Sequence, residues 1–518
     1  MARGSPISID MTEFQKPKID LTLDRIRRLA TYLPSYTRPT CHITGTNGKG
    51  SVTAILSSIF LASLPPLSIG RFNSPHLVSV YDSILINNEP VTHDDYSTAR
   101  AEVQNADRDH CVCASSFELL VMTALRIFEC KQLDVVVIEV GMGGRLDATN
   151  IVPDDAVLIS ALTAVDLDHQ YFLGDTVEEI AREKAGIARR GKPFVVGRQK
   201  HATVLSAVEE VLHRLEEGSD PNLPISISTQ TPIKLGGDEL RPAESPFLPS
   251  NLETVFSRSV RLSLDDDTKI ITKLPLYGDH QLDNLGTAIS ILSTLLKHPS
   301  CLRMLPHDIH TRITSETVSR GISSTKWPGR LSFHTITLPK MFPNDTEHIE
   351  RERRSLVVLA DGAHNPASSE TLRRFIDQVL GHCGNGSQPI SLTLVLALSY
   401  SPPKTPLQTL SPLLLPPFPL GKVKIAIALV EFTPPEGMPW VRPVPPSDVQ
   451  QAIAQLVPDV EVRVPNHGNG SEGQVLRALR WAAEMQEVVS DEQGLVVIAG
   501  SLYLVADFYR LLQRLGQS

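Results

Sequence analysis

One run of residues constrains the fold more than any other: Leu133-Asp-Val-Val-Val-Ile-Glu-Val140, β-branched and almost free of polar breaks. A strand with one wet face alternates apolar and polar residues. A run like this one must be covered on both faces, as in a parallel sheet between layers of helices. Other strand-like runs, at 41–43, 156–161, 193–196, 356–360, 392–398, 423–430 and 495–499, alternate with helix-period segments at 51–64, 117–130, 177–188, 282–296, 368–380, 472–487 and 502–515. That alternation predicts an α/β fold with parallel sheets.

At roughly 100–200 residues per domain, 518 residues predict two or three domains. The strand–helix alternation restarts after Trp327-Pro-Gly-Arg330, so the expected division is 1–323, a nucleotide-binding domain, and 324–518, a smaller Rossmann-like α/β domain. A cleft between them is the expected ligand site. Three stretches interrupt the pattern: 216–250, rich in Pro, Ser and Gly; 338–354, polar and charged; and 401–420, dense in proline. All three read as surface insertions.

Composition narrows the function classes. A net charge of -9, from 49 basic and 58 acidic residues, argues against nucleic acid as a partner. No apolar run approaches the roughly 20 residues of a membrane helix, and residues 1–20 carry no apolar signal region and no clear transit peptide, so a cytoplasmic protein is expected, with a mitochondrial one the alternative. Six cysteines in so long a chain form no disulfide framework, and the close pair Cys111 and Cys113 reads as buried thiols in a reducing compartment.

The chemistry begins at Thr44-Gly-Thr-Asn-Gly-Lys-Gly-Ser51, which follows a short apolar strand and opens a helix. Gly45, Gly48 and Gly50 let backbone N–H groups of Thr46, Asn47 and their neighbours close around phosphate oxygens, the helix N-terminus adds positive potential, and Lys49 adds a mobile cation. The motif departs from a regular Walker A, because Gly50 separates Lys49 from Ser51. Glu139 is a charge near the C-terminal end of the apolar strand, where an open parallel sheet faces its ligand. Mg²⁺ beside a nucleotide is its expected partner, and a salt bridge to a core arginine the alternative. The turn Gly141 to Asn150 carries Arg145, Asp147 and Asn150 over the same crevice, suited to an anionic substrate. Asp168-His169 follows the next strand. Lys184 sits on a helix where a solvated charge is the ordinary case. Asn284, Arg330, Asp361 and His364 have the character of nucleotide contacts spread over both domains.

Taken in order, Thr44–Ser51, Ser74-Pro-His-Leu77, Phe117-Glu118, Glu139–Asn150, Asp168-His169, Glu183–Ile187, His280-Gln281 with Asn284, Trp327–Arg330, Asp361–Pro366 and Gly500–Val505 resemble the folylpolyglutamate synthase and dihydrofolate synthase family of the Mur ligase superfamily. The resemblance implies a P-loop-type Mur ligase ATPase domain followed by the Rossmann-like domain, and an enzyme that joins L-glutamate to a pterin-bearing carboxylate as ATP becomes ADP and phosphate. It implies that Gly45 to Ser51, Asn284, Arg330, Asp361 and His364 bind ATP, that Ser74, Glu139 and His169 hold Mg²⁺, and that Phe117, Arg145, Leu146, Asp147 and Ala148 face the pterin substrate. Lys49, His169 and Lys184 would serve catalysis. Lys184 matches a lysine that is carbamylated in relatives, and a monovalent cation such as K⁺ is a further cofactor open to the family.

Asp82-Ser83 and Asp168–Gly174 look more like fungal dihydrofolate synthases than polyglutamate synthases, so dihydropteroate is the expected acceptor, with tetrahydrofolate the alternative. The segment Ala397–Lys404 stands where the family carries a Gly/Ala-rich stretch ending in Asp-Lys-Asp. A monomer acting on small molecules is expected. A non-catalytic nucleotide-binding protein on the same scaffold is the reading from another class, disfavoured by the retention of Lys49, Glu139, His169, Lys184 and Asp361 together.

Overall fold

In a computed structural model the alternation becomes three sheets. The structure describes residues 22–217, 225–231, 233–235, 258–264, 269–338, 355–382, 389–419, 423–435, 441–464, 471–489 and 494–517. The first sheet comprises β1 (Thr40–Thr44), β2 (Ile69–Phe72), β3 (Ile84–Ile86), β4 (Glu89–Pro90), β5 (Val135–Glu139), β6 (Val157–Leu162), β7 (Phe194–Val196) and β8 (Ile227–Thr229), in the order β4-β3-β2-β5-β1-β6-β7-β8. Only β3 runs against the others, antiparallel to both β2 and β4. A small antiparallel sheet follows, of β9 (Lys234–Leu235), β10 (Arg258–Ser263) and β11 (Lys269–Leu274).

The third sheet orders its strands β12-β13-β17-β14-β15-β16, where β12 is Ser332–Thr337, β13 Ser355–Ala360, β14 Ile390–Leu396, β15 Val423–Leu429, β16 Glu461–Arg463 and β17 Gly494–Ala499. Only β12 is antiparallel to its neighbour.

β5 is buried at every position. Val135 and Val137 face the cluster that includes the helix Lys49–Leu61, while Val136 and Ile138 face the cluster built on the helix Ser116–Cys130. The unbroken apolar run is therefore the direct consequence of two covering layers. Because β5 sits between β2 and β1, and β6 lies on the far side of β1, the strand order reverses around β1. The C-terminal ends of β1, β5 and β6 open into one crevice, as at the switch point of other open α/β sheets.

Several expectations need correction. The predicted strand at 392–398 lies two residues earlier, at Ile390–Leu396. The stretch 401–420 is more than a surface insertion. Thr405 caps a helix, Pro406–Leu414, whose Leu410, Leu413 and Leu414 join Phe418 in the core beside the third sheet. Proline at the first helical position is compatible with that start, because the missing N–H has no intrahelical partner there. Cys111 and Cys113 are exposed rather than buried; among the described residues the buried thiols are Cys41 and Cys301. The helix His93–Asp109 was not anticipated, because only Ala99 and Val103 are buried along it and its apolar stripe is correspondingly thin. Most of 216–250 and all of 338–354 except Leu338 lie outside the described residues.

The helix Ser315–Ser323 packs directly on Lys49–Leu61. A Cβ at Gly321 would lie 2.5 Å from the Ile59 Cα, a backbone atom that cannot step aside. Gly321→Ala is expected to destabilise the chain by about 1–3 kcal/mol through overpacking. Its thermal midpoint should fall while the far-ultraviolet spectrum keeps its helical content, and an unchanged midpoint would show that the two helices can separate freely.

Candidate active site

The glycine turn leaves the end of β1 already braced. Thr44 Oγ1 donates to the Gly143 carbonyl at 2.7 Å, Thr46 N and Asn47 N both donate to the Ala164 carbonyl, and Thr163 Oγ1 donates to the Asn47 carbonyl at 2.8 Å. No side chain fits at two of its positions. Gly45, at φ +148°, has Thr163 Oγ1 where a Cβ would go, and Gly48, at φ +94°, has Asn284 Oδ1 2.2 Å from that point. The helix Lys49–Leu61 then starts with no side chain capping it. Its first N–H groups and the positive end of its dipole are the parts of the turn suited to an anion.

That helix is buried along Ser51–Phe60, so its polar residues need partners inside the protein. Lys49, Thr53 and Ser57, four residues apart, form one stripe facing β2 and β5. Lys49 Nζ lies 3.7 Å from Glu139 Oε1, and Asn73 Nδ2 donates both to Glu139 Oε2 at 2.7 Å and to Thr53 Oγ1 at 2.8 Å. Ser57 Oγ accepts from Arg71 Nη1 at 3.1 Å. Burial pushes the Glu139 carboxyl up from its ordinary value, against the pull of Lys49, Asn73 and Arg330. Where a salt bridge to a core arginine was the alternative to Mg²⁺, the cation beside Glu139 is Lys49.

Glu139 opens onto a cavity of about 690 Å³ shared with Asn73, Ser74, Trp327 and Arg330. Ser74 Oγ and Asn73 Oδ1 are buried there without a hydrogen-bond partner. Among the described residues no three His, Cys, Asp or Glu side chains converge on one point. A hard cation would therefore find oxygen donors from Glu139 and Ser74 and would complete its shell with phosphate and water, the habit of Mg²⁺. The residues fit that ion. His169 does not line this cavity.

Across the turn, Lys184 is buried rather than solvated, and its Nζ donates to the Gly45 carbonyl at 2.8 Å. Burial, reinforced by Lys49, pushes its amine down to about 7. His169 takes a left-handed φ of +51°, and burial lowers its imidazole. Asp168 lies 4.0 Å from His169 Nε2 and 3.9 Å from His364 Nε2, and accepts from Asn365 Nδ2 at 3.4 Å. Burial works against its charge, but His169, His364 and Lys404 hold its carboxyl well below the usual range. Lys404 Nζ donates to the His364 carbonyl at 2.7 Å. The loops after β6 and β13 thus meet at Asp168.

Asp361 uses both carboxylate oxygens to hold the loop after β13, accepting from Leu331 N and Ala363 N at 2.8 Å each. Arg330 lies against Gly362, where a Cβ would come 2.7 Å from its Nη1. On the side expected to face the pterin, Phe117 rests on Gly141, 6.4 Å from the Phe72 ring. The expected anion-binding set there is corrected. Arg145 pairs with Glu183 at 2.8 Å, buried Asp147 accepts from Thr149 and Met142, and Asn150 accepts from Arg189 at 2.7 Å. Asp147 and Asn150 stitch the turn together, while Arg145 stays exposed and spends its guanidinium on Glu183. Leu146 is half-buried and Ala148 buried in the same turn.

Sequence reasoning missed Asn73, Arg71, Thr53, Asn365 and Lys404. The four-residue spacing of Lys49, Thr53 and Ser57 in an otherwise apolar helix was the one available signal for the first group. Nothing local marked Lys404.

The dihydrofolate synthetase of Saccharomyces cerevisiae is 32% identical over 497 residues, covering 95% of this chain and 98% of its own. The chain belongs to the dihydrofolate synthetase family. A probable dihydrofolate synthetase of Schizosaccharomyces pombe is 28% identical over 96% of the chain and 99% of its own length. The family model described as dihydrofolate synthetase, C-terminal domain, matches residues 345–511. Among solved structures, the Mycobacterium tuberculosis folylpolyglutamate synthase complexed with ADP superposes with a TM-score of 0.69 at 23% identity, covering 96% of this chain and 95% of its own. The Escherichia coli FolC protein in complex with DHPP and ADP gives 0.65 at 23% identity, covering 96% and 94%. At that identity these two establish the fold that members of the dihydrofolate synthetase family share with them.

Lys184 yields a pH test. Unfolded, its amine titrates near the ordinary lysine value of 10.5; folded, near 7. Between those values the unfolded chain holds a proton that the folded chain lacks, so this group makes stability rise with pH across that window. Urea unfolding of the ligand-free chain should show a smaller gain from pH 7 to pH 9 in Lys184→Met than in the parent. Equal gains would mean that the lysine is not desolvated.

Proposed function

We propose that this chain, an ATP-dependent acid–amino-acid ligase, joins L-glutamate to the carboxylate of 7,8-dihydropteroate and releases dihydrofolate, ADP and phosphate. The observation that carries the reading is the buried Glu139 carboxylate between Lys49 and Asn73, beside the uncapped helix start, with Arg330 on the same cavity. The end-to-end likeness to two fungal dihydrofolate synthetases favours dihydropteroate over a folate that already carries glutamate.

A carboxylate is a poor acylating agent at neutral pH, so the reaction needs activation. In our proposal its oxygen attacks the γ-phosphorus, the bond from that phosphorus to the bridging oxygen breaks, and ADP departs. The glutamate amine then attacks the carbonyl of the acyl phosphate, loses a proton to solvent, and displaces phosphate. Catalysis of such transfers is mostly positioning and charge stabilisation. The N–H groups from Gly48 to Ser51 and the Lys49 ammonium hold the phosphates, Thr46 N and Asn47 N being spent on the Ala164 carbonyl, and Arg330 adds its guanidinium from the loop before β12. Asn284, Asp361 and His364 order the nucleotide. Asn73 keeps Glu139 oriented and ionised. Mg²⁺, held by Glu139 and Ser74 with His169 nearby, would neutralise charge on the phosphate oxygens. Phe117, half-buried on Gly141, offers an aromatic face to a pterin ring. The neutral Lys184 amine favoured near pH 7 is the form that takes up CO₂, releasing a proton and leaving a carbamate.

In this reading the lobes 1–323 and 324–518 act as a monomer on small molecules in the cytoplasm, meeting at Asp168, His364 and Asn365. Among the described residues no helix is long and apolar enough to cross a membrane.

ADP release should require dihydropteroate and L-glutamate together, with tetrahydrofolate and a diglutamate form poorer acceptors in the same assay. ATP binding without coupled turnover would return the chain to the class of nucleotide-binding proteins. Lys49→Ala is expected to lower kcat by about a hundredfold or more while the fold persists. Glu139→Ala should raise the Mg²⁺ concentration for half-maximal rate, and an unaltered Mg²⁺ titration would remove the carboxylate from the metal.

A further inference from the structure

Of the arginines that line the site cavity, Arg71 is the most deeply buried, with 5% of its surface exposed. It lies opposite Val137 in the β2–β5 register, two residues short of Glu139. Side chains two apart on a strand share a face, so Arg71 and Glu139 rise together toward the helix Lys49–Leu61. Arg71 Nη1 donates to Ser57 Oγ, and the guanidinium lies 5.3 Å from the Trp327 ring centroid. Its Nε is buried with no partner. A buried donor left unsatisfied is costly, more so on a charged group. Ser74 Oγ, likewise buried and unpartnered, belongs to the same lining.

The cavity meets the site at Glu139 and Arg330, and none of its lining comes from the glycine turn. It reaches Ser58 and Leu61, at least nine residues along the helix from Lys49, or roughly 13 Å. Exposed Arg320, which donates to the Ala62 carbonyl, stands at this end, and exposed Lys326 belongs to the same lining. The acids on the lining are largely committed: Asp82 accepts from Val78 N and Ser79 N, and Glu139 is held by Lys49 and Asn73. Only Glu89, exposed at the rim, faces these cations without such a commitment among the acids of the lining. The arm is thus cationic, and Arg71 on its lining keeps a buried, unsatisfied guanidinium N–H.

We propose that Arg71 and this arm form an orthophosphate site, which receives the phosphate displaced from the acyl intermediate and leads it away from the nucleotide. This rests on the ligase reading above. When the tetrahedral adduct collapses, the carbonyl re-forms, the bond from carbon to the phosphate oxygen breaks, and phosphate leaves with the electron pair, taking up a proton shed by the amine to become the hydrogen phosphate dianion. A tetrahedral oxyanion suits a guanidinium edge and a hydroxyl side by side. Arg71 is then a product-binding residue in addition to its packing against Trp327.

Inhibition of the full-length enzyme by added orthophosphate tests this, with Mg²⁺, ATP, dihydropteroate and L-glutamate present. Arg71→Met is expected to weaken that inhibition by about tenfold or more, the effect of losing a charge-assisted contact, with the KM for dihydropteroate nearly unchanged. Arg71→Lys, which keeps the charge but has no Nε–H, should fall between. Orthophosphate inhibition equal to the parent's in folded Arg71→Met would overturn the proposal. So would parallel losses for ATP, dihydropteroate and orthophosphate, the pattern of a purely structural arginine. If Arg71→Met does not fold, Arg71→Lys decides by the same comparison. The parent's pterin- and glutamate-dependent ADP release, measured in the same series, separates failure of this site from failure of the ligase reading.

Discussion

A carboxylate taken out of water at the tip of β5 is the constraint on which the rest of the site depends. Glu139 is 7% exposed, and a charge at that depth persists only where partners converge on it. Two of them come from different elements: Lys49 from the first turn of a helix and Asn73 from the loop after β2. Asn73 is in turn fixed by Thr53, one helical turn beyond Lys49. The helix therefore cannot shift against the sheet without unpairing Glu139, and the glycine turn that begins the helix is held in place by the same contacts.

The second region of convergence joins parts distant in sequence. Asp168 follows β6, His364 and Asn365 follow β13, and Lys404 comes from the proline-dense segment. Asp168 stays ionised there against its burial, so the loops that face each other are tied by charge and hydrogen bonds rather than by apolar surface. Elsewhere the two regions also share apolar packing, Tyr277 against Phe333 and Phe375 and Leu77 against the cluster around Val505. The departure of Ala397–Lys404 from the family's Asp-Lys-Asp pattern is partly explained: the segment still sends a cation into this junction, from a different position.

The strands were legible in the sequence because both faces of each are buried, so that Val135 to Ile138 or Leu495 to Ile498 carry their environment in their composition. The glycine turn was legible because Gly45 and Gly48 adopt backbone conformations that few other residues tolerate. Other features were not. Arg145, Asp147 and Asn150 are polar residues on a turn beside a crevice, and no local pattern distinguishes a side chain that stitches such a turn from one that faces a ligand. Lys184 looked like a surface lysine, because its burial arises from a turn 139 residues earlier in the chain. The helix Pro406–Leu414 was hidden by its prolines, although Thr405, Pro406 and Gln408 form a regular helix start.

The central claim is that one cleft turns an inert carboxylate into an acyl phosphate before the amine arrives, and the fate of the carboxylate oxygens tests it most directly. Dihydropteroate labelled with heavy oxygen in its carboxylate would be turned over with unlabelled ATP and L-glutamate, and the released phosphate examined by mass spectrometry. The account predicts that each phosphate carries a single labelled oxygen taken from the substrate. Dihydrofolate formed alongside unlabelled phosphate would contradict it.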